Sequence, residues 1–281
     1  MVSRILGALV RAILVGVLFA WPAFVVPGLA ASGGALVATV ALGMFVWTYV
    51  EYASYAPSLI EFREAPPFNR IRYGALLATV IGLSLIQAYM VEYNTLNGLA
   101  YSIGAVIGYS IDFPWSPVRL MLLQFPDAIT GGKSGLIMAS AGLAYFISLV
   151  ALITFMALFY LRRWPTNSGP FNIWLNLPTF TPSSSEDVLK RLVRDARFNL
   201  TLGFGLPFLI PGVFGFLFRF VGGSPFSDPY LTIWVIAGWT ILPTAMIMRG
   251  IAISRVAQLV AAQQERIRAK AEAAGAVAAT G

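Results

Sequence analysis

The sequence predicts an all-α polytopic membrane protein. The expected form is a bundle of six transmembrane helices with an external re-entrant or interfacial insertion and a cytoplasmic amphipathic helix. Three observations carry this expectation. Of 281 residues, 58% are hydrophobic and 11% are charged, where soluble domains average about 45–50% and about 25%. Mean hydropathy is +0.77. Apolar stretches recur along the chain at the length, ~20 residues, needed to cross a hydrocarbon core ~30 Å thick. Basic residues gather between those stretches in a pattern that six crossings explain.

The spans are expected at residues 5–26, 35–55, 73–91, 135–161, 198–221 and 230–248. Residues 1–250 then form one integral-membrane domain, and residues 251–281 an amphipathic helix with an alanine-rich, frayed end from Ala271. Arg4 and the small residues Ala30-Ala31-Ser32 imitate a cleavable signal. The apolar run is longer than a signal core, and Trp21 and Pro22 fall late in it, so an uncleaved first helix is expected.

Asn97–Ile111 is doubtful as a span, being short, rich in glycine (Gly98, Gly104, Gly108) and closed by Asp112 and Pro114. Charge decides it. If this segment makes no net crossing, 16 of the 19 basic residues face the cytoplasm, and only Arg119, Lys133 and Arg219 lie outside. If it crosses alone, only 8 of the 19 stay inside. Basic residues in short loops resist translocation, so both termini are expected in the cytoplasm, with residues 92–134 outside. Two forms stay open for that insertion: a re-entrant hairpin, or an interfacial flap with Phe113 and Trp115 among the headgroups.

The inner loop from Glu51 to Arg72 carries mixed charge and a helix-stopping Pro66-Pro67 pair, as a solvated connector does. The cytoplasmic loop 162–197 is more informative. Trp164, Phe171, Trp174, Leu175, Leu177 and Phe180 stand among turn formers, a composition suited to a membrane surface. Ser183 and Glu186 fit a capping box. Beyond it, Val188, Leu189, Leu192, Val193 and Ala196 recur at helical spacing, with Lys190, Arg191, Arg194 and Arg197 filling the other face. Such a helix favours the anionic leaflet. Trp164, Trp174, Lys190, Arg191, Arg194 and Arg197 are therefore the candidate lipid or partner contacts.

Little else suggests chemistry. The chain has no cysteine and no histidine, which removes disulfides, thiol nucleophiles, Cys or His metal sites, histidine-ligated haem and Ser-His-Asp devices. No cofactor and no metal are expected. Arg11 can snorkel to the interface, and Glu51, Glu92, Asp112 and Arg219 sit near span ends. Gln87 is the most polar mid-span residue and suits an interhelical hydrogen bond better than a ligand contact. Gly131-Gly132-Lys133-Ser134 ends like a phosphate-binding loop, but Asp127 stands where its first glycine belongs. The sharpest candidate lies in the fifth span, where Gly203, Gly205, Pro207, Pro211 and Gly212 should kink or unwind the helix and bare backbone groups to a solute.

Sixteen arginines against three lysines, amid abundant alanine and glycine, point to a GC-rich bacterial genome. The net charge of +7 is read as membrane orientation, so no nucleic-acid partner is expected. The function expected is that of a non-catalytic bacterial inner-membrane accessory, scaffold or assembly subunit. Its partners would be membrane lipids and another membrane protein or a second copy. The alternatives are a channel or transporter for a neutral or hydrophobic solute through residues 203–212, and, more remotely, a lipid-handling enzyme using Asp112 or Glu92.

Overall fold

Residues that are apolar on nearly every face open the chain, and in the computed structural model they form two helices folded back on each other. The structure describes residues 2–55, 58–63, 65–125, 132–161, 164, 176–177, 185–222 and 224–280. Helix α1 (Val2–Val25) turns through Val26-Pro27-Gly28 into α2 (Leu29–Ala53). The turn needs a left-handed residue, and Gly28 supplies it at φ 79°. Helix α2 thus begins six residues before the expected start at 35, with Gly33 and Gly34 inside it. Leu6, Val10, Ile13 and Val17 of α1 and Leu36, Leu42, Val46 and Val50 of α2 stay exposed, which in water would be untenable and in lipid is ordinary.

Helix α3 (Phe68–Tyr89) starts directly after Pro66-Pro67. The insertion that follows is a helix–turn–helix. Helix α4 (Thr95–Ser110) is capped by Asn94, whose side chain accepts the Asn97 N–H, and α5 (Pro117–Gln124) by Ser116, which accepts the Arg119 N–H. Trp115, 80% exposed, and Phe113 stand in the turn between them. Helices α6 (Ser134–Leu161), α7 (Ser185–Val221) and α8 (Pro229–Thr280) complete the described residues, among which there is no strand. Six helices, α1, α2, α3, α6, α7 and α8, are long and apolar enough to cross a membrane. The protein is a polytopic, all-helical bundle.

Two cores mark the two ends of the bundle. At one end Val26, Leu29, Val118, Phe125, Phe226 and Tyr230 cluster with the tops of the neighbouring helices. At the other, Phe62 and Phe68 meet Trp164, Leu177, Leu192 and Ile253. Phe62 precedes α3 and Trp164 follows α6, so α3 leaves this second end and α6 returns to it. The α4–α5 unit makes no net crossing.

Glycine brings α4 onto α6. A Cβ added at Gly104 would lie 2.2 Å from the Ala139 carbonyl oxygen, one at Gly108 2.1 Å from that of Met138, and one at Gly142 2.2 Å from that of Gly104. Backbones therefore touch at this crossing, as small residues four apart permit in membranes.

One expectation about a helix end is overturned. Helix α8 stays helical to Thr280, so no frayed end begins at Ala271; the alanines there are the strongest helix formers. The basic helix at 188–197 leads directly into the fifth span, as its spacing implied, the two forming one helix, α7, from Ser185.

Candidate functional site

The fifth span was expected to kink or unwind, and it stays helical throughout. Gly203, Gly205, Pro207, Pro211 and Gly212 all lie inside α7. Proline at 211 removes the N–H that would bond the Pro207 carbonyl. A neighbouring helix supplies the replacement: Trp239 of α8, fully buried, donates its indole N–H to the Pro207 oxygen at 3.0 Å. This is how a membrane helix tolerates proline. Gly203 packs where its missing side chain would meet Ile247 and the Pro243 carbonyl, so this glycine serves helix contact. The solute-path reading loses the unwound backbone on which it rested.

Gln87 is also placed differently. It is buried, and its side-chain Nε2 has no hydrogen-bond partner, so the expected interhelical bond from that amide is not formed. Trp164 is buried to 4% exposure instead of meeting lipid. Its indole N–H donates to the Ala65 carbonyl at 3.3 Å, and its ring lies 5.6 Å from that of Phe62. Aromatic area and a satisfied N–H make Trp164 a clamp between the two loops of this end. Trp174 and the capping residue Ser183 lie outside the described residues. Asp112 pairs with Arg119 at 2.6 Å, and Lys133 donates to the Phe226 carbonyl at 2.7 Å, which gives both a structural task in the α4–α5 region.

The remaining candidates form a stalk. The first turns of α7 pack Leu192 and Ala196 against Ile253, Val256 and Ala257 of α8, and the pair stays together as far as Leu189 and Arg268. Lys190, Arg194 and Arg197 are exposed on its outside, whereas Arg191 is half-buried. At 52 residues, α8 is about 78 Å long at about 1.5 Å per residue, more than twice the ~30 Å of a hydrocarbon core.

Sequence reasoning missed the polar lock beside the stalk. Glu51 ends α2 at 5% exposure and accepts the N–H groups of Ser58 at 3.1 Å, Leu59 at 3.1 Å and Ile60 at 3.3 Å, together with the Ser58 hydroxyl. Arg63 donates to the Ser54 and Tyr55 carbonyls at the α2 terminus at 2.9 and 3.0 Å. Glu61 takes both Arg249 contacts, 2.5 Å from Nε and 2.7 Å from the terminal nitrogen, the bidentate form that fixes geometry. The 51–72 segment is therefore a folded clamp between α2 and α8, and a solvated connector is the wrong picture for it. Its signal in the sequence was weak: Glu61 and Arg249 are 188 residues apart. Glu51→Gln should lower stability by about 1 kcal/mol, because glutamine keeps one acceptor but loses the charge on those N–H groups. Thermal unfolding of the full chain in detergent measures this.

Between the α1–α2 pair and α3 and α8 lies a crevice with two lobes, about 590 and about 260 Å³, that share Val15, Thr48, Tyr52, Asn69 and Tyr73. No group of three or more histidine, cysteine or acidic side chains able to hold a metal occurs among the described residues. Compared with known proteins, the chain matches no family model, no curated relative and no solved structure.

Proposed function

We propose that this chain is a non-catalytic protein of the bacterial cytoplasmic membrane, acting as an accessory, scaffold or assembly subunit with its stalk in the cytoplasm. The orientation rests on the 16 of 19 basic residues that six crossings put on one side. The observation that carries the role is the α7–α8 stalk. Two spans continue without a break into paired helices whose apolar residues face each other and whose Lys190, Arg194 and Arg197 face outward. Helix α8 runs on past Val260, the last of its residues in a core cluster among the described residues, and a basic, extended surface suits contact with an acidic protein partner at the membrane. The buried polar groups support the non-catalytic part. Glu51, Glu61 and Asp112 each hold partners within the chain, so these three are already engaged and ill placed for acid–base work.

The test is extraction of the tagged full chain in mild detergent, followed by native mass measurement. A stoichiometric partner is expected, with its yield falling at least tenfold in the triple variant Lys190→Gln, Arg194→Gln, Arg197→Gln at unchanged unfolding temperature. A partner retained in that variant, or a homo-oligomer with nothing else bound, would overturn the reading.

A further inference from the structure

We infer that the crevice between the α1–α2 pair and α3 and α8 is a binding site for an anionic phospholipid, with its phosphate held by arginines and an acyl chain laid along the apolar floor. Charge is the first argument. Five arginines line the two lobes, Arg11, Arg63, Arg70, Arg72 and Arg249, and Glu61 is the one carboxylate among the described lining residues. Arg249 is held by Glu61 and Arg63 by the α2 terminus, so Arg11, Arg70 and Arg72 are the guanidiniums a phosphate would meet. Glu51 is already enclosed by N–H groups of the 58–60 turn. An excess of guanidinium at one mouth is a phosphate-binding composition, since each offers several fixed donors.

The placement of these arginines is the second argument. Arg11 sits two turns inside α1, yet its side chain runs back toward the helix start, donating to the Gly7 carbonyl at 2.8 Å with its guanidinium 4.8 Å from the Tyr52 ring centre. Arg72 lies 5.3 Å from the ring of Phe68. Both guanidiniums thus stand at the level of the α2–α3 loop, where a headgroup would lie. Basic pockets between membrane helices on the cytoplasmic side are the setting in which lipid headgroups are recognised.

The floor is the third. Below the arginines the larger lobe is lined by Val15, Leu18, Met44, Leu76 and Ile241, and it reaches Phe19. Phe19 also lines a further apolar cavity of about 380 Å³ toward the opposite end, beside Leu36 and Val40. A basic mouth above a long apolar trough fits an amphiphile, whereas a free anion would have no use for the trough. The larger lobe and the further cavity fall in the range of ligand sites, roughly 300–1,000 Å³.

The experiment uses the full chain in nanodiscs of phosphatidylcholine, with phosphatidylglycerol added in steps, and reads the unfolding temperature. Phosphatidylglycerol should raise it saturably. Arg11→Gln with Arg70→Gln, both at exposed side chains, should weaken the apparent affinity roughly tenfold or more, read as the phosphatidylglycerol fraction at half the shift, so that any offset in pure phosphatidylcholine from the lost Arg11–Gly7 bond does not enter. The stalk variant Lys190→Gln, Arg194→Gln, Arg197→Gln should keep the full response, which separates this site from the partner surface proposed above. Val15→Trp, which fills the trough and spares the arginines, should also abolish the response. Equal unfolding temperatures in the two lipids would overturn the inference, as would a full response in the Arg11/Arg70 variant. Inorganic phosphate alone producing the same shift would replace the lipid by a free anion.

Discussion

Replacing Gly142 by valine should separate α4 from α6 and destabilise the protein by about 3 kcal/mol or more. The alanine variant already brings a methyl carbon to 2.2 Å from the Gly104 oxygen and 2.3 Å from the Gly108 nitrogen. Both are backbone atoms, so no rotamer change can relieve the contact. Overpacking of a relaxed core costs about 1–3 kcal/mol, and this site lies at the upper end because only a helix shift can absorb it. Thermal unfolding of the full chain in detergent should drop by many degrees. Gly43→Val, on a helix where an added Cβ meets nothing within 4 Å, should change it little. Limited proteolysis gives a second readout, because an undocked α4 exposes the 90–94 and 111–116 turns.

Trp239→Phe should cost about 2 kcal/mol, most of it from leaving the Pro207 carbonyl without a donor at membrane depth. The prediction is sharper as a cycle. Pro211→Ala restores a backbone N–H that can bond the Pro207 oxygen within α7, so Trp239→Phe made on that background should cost clearly less than on the native chain. Coupling above about 1 kcal/mol between the two changes, read from unfolding midpoints, supports the substitution of an indole for a peptide donor. Additive effects would show that Trp239 matters through packing alone, where it meets Tyr145 edge-on at 5.1 Å.

These pairs mark where the sequence could and could not be read. Hydropathy located the spans because lipid imposes one length on every crossing, and the arginines settled the parity because each loop carries its own charge. Both signals are local. The partner of Pro207 is not. A Pro-x-x-x-Pro run states that a carbonyl loses its donor, but only the register of α8 against α7 names Trp239, so a break was the natural expectation. Glu61 and Arg249 pose the same difficulty, because neither residue's neighbours announce a mate so far along the chain. Trp164 was singled out correctly as unusual, yet its aromatic company in the loop suggested a lipid surface, when Phe62 from another loop and Phe155 and Phe159 of α6 pack against it. Gly104 and Gly108 were noticed as reasons to doubt a span. Their spacing is the mark of a close crossing, and Gly142 on α6 completes it.

Helix α8 has a mechanical consequence. Beyond residue 250 about thirty residues continue as the same helix, an arm of about 45 Å that leaves the bundle where Gly250 lies close against Ala196 and Leu200 of α7. A tilt of about 10° in the membrane part would sweep the far end through about 8 Å, since the arm turns as one body. Glu61 grips this lever at Arg249, close to its fulcrum, and so does the crevice. A group wedged between the α1–α2 pair and α8 would therefore change the lever's angle with little work at the site and a large displacement at the tip.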